Sequence, residues 1–163
     1  MGIGGTLAGA SGADEVRWRS CTATATFDGG TTNALGDHDG TGDGAAIFTV
    51  TGNVIVRIIA VCTTNLTHVA DATIEVGIEA DPDVIIATTD LTVEEMTAKE
   101  IWHDATPDVE IEALSVRKEY IITDGNDILI TVGVANVTAG VITFYCDWMP
   151  LSSDGLVTAN DAA

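Results

Sequence analysis

A chain of 163 residues with 46% apolar side chains is long enough to bury one real core. Its 25 acidic residues against 6 basic ones give a formal charge of −19. Such a surface repels phosphate backbones and anionic lipid, so neither nucleic acid nor a membrane is an expected partner. Arg17, Arg19, Arg57, Lys99, Arg117 and Lys118 form no basic stripe. The acidity serves solubility first, in a salty medium that screens repulsion within about 8 Å, and only second offers a docking face for something basic.

Residues 1–16 are Gly, Ala and Ser with two acids and read as a flexible N-terminal arm. The arm has no apolar block and no basic residue before Arg17, so no signal peptide is expected there. Gly2 and Thr6 fit the short myristoylation pattern, which a Gly-rich tail matches readily by coincidence. A single domain is expected over 17–151. It opens with VRWRS and CTATATF, whose period-2 Thr/Ala pattern makes a first strand ending at Phe27.

A loop dense in Gly, Asp and Asn follows over residues 28–45. Within it Asp37, Asp39 and Asp43 place oxygen ligands at alternating positions, as at the start of a calcium loop. Phe48 stands where the twelfth-position Glu of an EF-hand is required, so only another calcium geometry fits. A plain Gly/Asp loop is the more economical reading, and no cofactor is expected.

Strand-like pieces over 47–51 and 54–63 flank Gly52-Asn53. The second is apolar on both faces apart from Arg57 and is expected to be covered on both sides. Next, ATIEVGIEA alternates cleanly, with Ile74, Val76 and Ile78 inward and Glu75 and Glu79 outward. Asp81-Pro82-Asp83 reads as a break before the short strand VIIATT. LTVEEMTAKEIW, with Thr92 and Glu95 as a capping box, predicts one short helix. VEIEAL predicts a strand with Val109, Ile111 and Ala113 inward.

The stretch from Asp127 to Pro150 holds two β-branched and aromatic runs around VTAG and predicts a long central hairpin turning at Gly140. On its second arm Ile142, Phe144, Cys146 and Trp148 share one face. Residues 152–163 are polar and expected as an exposed tail. Cys62 and Cys146 lie within apolar runs as buried hydrophobes, and three cysteines in all make no disulfide framework. The sum is an all-β chain, a jelly-roll-like β-sandwich of about eight strands with one short helix.

Catalytic chemistry is not expected. His103-Asp104 has no nucleophile turn beside it, Ser115, Ser152 and Ser153 have no such setting, and the histidines lack zinc spacing. Three stretches carry a resemblance instead: residues 36–66, EIWHDATPD, and residues 122–155. Together they resemble small structural proteins of tailed bacteriophages and related viruses. That resemblance implies a capsid decoration or cement protein, not an enzyme, made in the host cytoplasm and seated on the capsid surface of the virion. Its implied partners are the major capsid protein and further copies of itself, a trimer ahead of a dimer. A head-fibre or tail-associated adhesin recognising a host surface is the other class. For attachment, Arg17, Trp18 and Arg19 stand out, because Arg and Trp anchor interfaces and basic residues are scarce here.

Overall fold

The computed structural model of the chain describes residues 17–38, 44–112 and 118–163. Expectations for the arm 1–16, for Asp39 and Asp43, and for Ala113 and Ser115 fall outside those residues. The described residues form two antiparallel sheets packed face to face and contain no helix. Among the described residues eleven strands run in chain order: β1 (Arg19–Phe27), β2 (Ala45–Thr51), β3 (Val54–His68), β4 (Thr73–Ile78), β5 (Asp81–Asp90), β6 (Glu100–Trp102), β7 (Asp108–Val109), β8 (Tyr120–Ile122), β9 (Ile128–Gly133), β10 (Val137–Pro150) and β11 (Leu156–Ala159). The first sheet is ordered β1-β10-β3-β6-β7, with β8 also pairing β3. The second is ordered β11-β2-β9-β4-β5.

Alternation sets the core. Val54, Val56, Ile58, Ala60 and Cys62 of β3 point inward beside Ile142, Phe144, Cys146 and Trp148 of β10, and all are buried. From the other sheet, Ile47, Phe48, Ile74, Val76, Ile128 and Ile130 meet them. Two polar ties cross between the sheets where β5 faces β6 and β8. The Trp102 Nε1–H donates to Thr89 Oγ1 at 2.9 Å, and the Tyr120 hydroxyl donates to the Ile85 carbonyl at 3.1 Å. Trp102 also meets Phe144 edge-on, ring centroids 6.2 Å apart.

The expected central hairpin does not form. β9 belongs to the second sheet and β10 to the first, and the chain turns between them at residues 134–136, with Val134 at φ 66°. Gly140 lies inside β10 (φ 124°) within a run of register shifts against β3, so its conformational freedom serves a bulge and not a turn. A Cβ there would stand 2.5 Å from Leu66 Cδ2 and 2.7 Å from the Asn65 carbonyl oxygen. Gly140→Ala is therefore expected to cost about 1–3 kcal/mol, read as a lowered urea midpoint.

The expected helix over 91–102 is a second correction. One turn closes, with the Glu94 N–H donating to the Asp90 carbonyl, and Asp90 Oδ1 rather than Thr92 caps it. Beyond it the backbone is claimed by β3: Leu66 N–H donates to Met96 O, and Lys99 N–H to Cys62 O. Leu91 and Met96 are buried, and their insertion outweighs a two-turn helix that would be marginal alone.

Val109 and Ile111 are exposed rather than inward, Ile111 at 83%: Val109 ends β7, a two-residue edge strand, and Ile111 lies beyond it. The break expected at Asp81–Asp83 is the start of β5, an edge strand of the second sheet where a proline is tolerated.

Residues 152–163, expected as an exposed tail, supply β11, which pairs with β2 and buries Val157. The chain then crosses to β1. Ala162 N–H donates to Thr24 O, Thr26 N–H to Ala162 O, and Thr24 N–H to Asp161 Oδ1. Leu156–Ala159 alternates weakly, which is why its polar flanks dominate the sequence pattern.

Candidate interaction surface

The outward side chains of the first sheet follow from the same alternation. In β3 they are Ile55, Arg57, Ile59 and Val61, and in β10 Val141, Thr143, Tyr145, Asp147 and Met149. Register sets them in rows: Ile121–Ile55–Met149, then Arg57–Asp147–Ser20, then Ile59–Tyr145–Thr22. Tyr145 is 49% exposed and Ile121 67%. Ile101 and Val61 extend the apolar strip into an open groove of about 610 Å³, shared with Thr63, Lys99 and Glu110. A sheet face this rich in Ile, Val and Tyr is unusual for solvent, where antiparallel sheets place polar residues.

Arg57 and Asp147 share one row of this face, and Lys99 pairs with Glu110 at the groove. The Arg57 guanidinium lies 3.8 Å from the centroid of the Trp18 ring and binds the Glu119 carboxylate through Nε at 2.9 Å and through Nη2. Trp18, 38% exposed just before β1, is thus held flat against the face by a cation–π contact. Of the three residues singled out from the sequence, Trp18 joins this surface. Arg19 instead lies over the Trp148 ring, 5.0 Å from its centroid, and Arg17 stands exposed before Trp18. Sequence reasoning missed Arg57, Ile59 and Tyr145 as surface residues. Their signal was the lone Arg57 in an otherwise apolar run, which marks the outward parity of β3.

The calcium reading retains one described ligand, Asp37. Its Oδ2 accepts from Asn33 N–H at 2.9 Å and its Oδ1 from Asn136 Nδ2 at 3.1 Å. Asn136 also donates to Gly29 O and accepts from His38 N–H. Asp37 therefore fastens the 28–38 loop onto the β9–β10 corner, with both carboxylate oxygens in use. His103 lies 3.3 Å, Nε2 to Oε1, from Glu112. No group of three His, Cys, Asp or Glu among the described residues has the arrangement to hold a metal ion.

No family model and no curated protein matches the sequence. Among solved structures the chain is similar to one described as "Acidic stable capsid structure of Helicobacter pylori bacteriophage KHP30". Identity is 14%, over 88% of this chain and 98% of that one, with a TM-score of 0.47. A likeness this faint says nothing of function.

Proposed function

We propose that this chain is a non-catalytic virion structural protein, a capsid decoration or cement protein that assembles through the outer face of its first sheet. The observation that carries the reading is the apolar face of Ile55, Ile59, Ile121, Tyr145 and Met149, rimmed by Trp18 and Arg57. Buried interface centres favour aromatic residues, Met and Arg, and Tyr145, Met149 and Arg57 stand on this face, with Asp147 opposite Arg57. The sequence resemblance to phage structural proteins points the same way.

We read the sandwich as a jelly roll. With β6, β7 and β11 set aside, the sheets run β1-β10-β3-β8 and β2-β9-β4-β5. The chain passes between sheets at every step except β4 to β5, the pattern of two interlocked Greek keys. Such sandwiches serve in viral capsids and in lectins, so the fold alone does not choose between them.

In this reading the apolar face joins copies of the chain, a trimer ahead of a dimer, while Arg17, Trp18 and Arg19 at the entrance to β1 meet the major capsid protein. The protein would sit on the capsid surface after synthesis in the host cytoplasm. The test is its copy number in purified particles: hundreds per particle are expected, and a handful would overturn the reading. Trp18→Ala is expected to lower occupancy on undecorated particles roughly tenfold, the loss of a modest interface anchor. Full occupancy of that variant would move attachment elsewhere.

The exposed rings of Trp18 and Tyr145 favour one second reading, an adhesin that stacks host sugars on them. Low copy number together with glycan binding lost in Tyr145→Ala would select it.

A further inference from the structure

Cys21 of β1 and Cys146 of β10 stand directly opposite each other in the antiparallel register. Both point to the inner face, Cys146 buried and Cys21 half-buried. Directly opposed antiparallel residues hold their Cα atoms about 4.5–5.5 Å apart. A disulfide spans about 4.4–6.8 Å, so neither strand has to move for these sulfurs to join. We propose that Cys21 and Cys146 are a redox-active pair, converted by a small-molecule disulfide into a cross-strand disulfide that clamps the edge strand β1 onto β10.

The exchange proceeds in two displacements. Cys21 is the entry point because it is the more accessible sulfur. The hydrogen bond from the Cys146 thiol holds its pKa below the usual thiol value, against burial and the Asp147 carboxylate. Its thiolate attacks one sulfur of the oxidant, forming a mixed disulfide and releasing one thiolate. That thiolate takes the proton of Cys146. The Cys146 sulfur then attacks Cys21 Sγ and expels the second thiolate, which is protonated by the water that received the Cys21 proton. Two protein thiols are oxidised, and one small-molecule disulfide is reduced to two thiols.

Cys62 does not compete. It is fully buried and pairs in register with Ile142, and its thiol approaches the Thr64 and Met96 carbonyls. Burial and the Glu100 carboxylate push its pKa up to about 11. β1 is the outermost strand of its sheet and carries Trp18 just ahead of it, so the clamp would fix the element that presents that ring.

The test incubates the full chain, natively folded, with oxidised glutathione, followed by acid quench, alkylation and peptide mass analysis. Expected is a Cys21–Cys146 linked peptide with Cys62 alone alkylated, reversed by dithiothreitol. The melting midpoint should rise by on the order of 5–10 °C, since the closed loop spans most of the chain. Cys21→Ser should abolish both the link and the rise, and Cys62→Ser should leave both intact. Overturning results are a glutathione adduct that persists on Cys21 without closing, a link involving Cys62, or two thiols that stay alkylatable in the folded chain.

Discussion

Truncating Trp102 to alanine should remove about 3–5 kcal/mol of stability, the largest single effect expected in this core. Trp102 is fully buried in β6, lies edge-on to Phe144, and donates to Thr89 across the gap between the sheets. Alanine would open a cavity and leave a buried threonine hydroxyl short of its partner. Trp102→Phe keeps most of the ring and loses only the N–H, so a smaller cost of about 1–2 kcal/mol is expected. Thr89→Val strands the indole N–H and should cost about 1–3 kcal/mol. Urea unfolding of the three variants checks the order. Equal losses for the alanine and phenylalanine variants would assign the contribution to the hydrogen bond rather than to packing.

The second large effect concerns assembly. Ile59 and Tyr145 are directly opposed on the outer face of the first sheet. The double variant Ile59→Lys with Tyr145→Glu places an ion pair where the proposed interface is apolar. Opposite charges facing across strands are tolerated within a sheet, so the monomer should keep its melting midpoint within a few degrees. Self-association should weaken on the order of 30-fold or more, as for losing an interface hot spot. Light scattering at micromolar concentration reads the result. A wild-type chain that scatters as a 16.8 kDa monomer would remove the interface itself from this face.

Much of the sandwich was legible in local alternation. The inward set Ile142, Phe144, Cys146 and Trp148 is buried as the period of two requires, and so are Ile74 and Val76. β1 ends at Phe27, where Asp28 and two glycines end the pattern. What was not legible is pairing, because a strand's hydrogen-bond partners can lie anywhere in the chain. β9 and β10 are adjacent in sequence and look like a hairpin, yet β9 pairs with β2 and β4, and β10 with β1 and β3. Gly140 was visible as a residue suited to positive φ, but a turn and a bulge draw on the same property.

The helix expectation failed for a related reason. A capping pattern over a dozen residues is a local preference, and Met96 and Lys99 answer instead to β3. The surface was half legible. Apolar residues on both parities of β3 imply burial on both sides, whereas the outer parity is only partly covered within one chain. Arg57 was visible as a lone charge, but its stacking on Trp18 depends on residues 39 positions apart meeting in space.

The pairing of β1 with β10, and the crossing of Ala162 onto β1, set a timetable for synthesis. β10 and Ala162 lie more than a hundred residues after β1 and are made that much later. At about 5–20 residues per second, the strand waits on the order of ten seconds for its neighbours. An unpaired apolar strand exposed that long invites capture by other nascent chains. β1 is built to wait: after Arg19 its inward residues up to the last are Cys21, Ala23 and Ala25, and its outward ones are Ser20 and a row of threonines. The small side chains that make it a faint strand in the sequence also leave it little to aggregate with before the sheet can close.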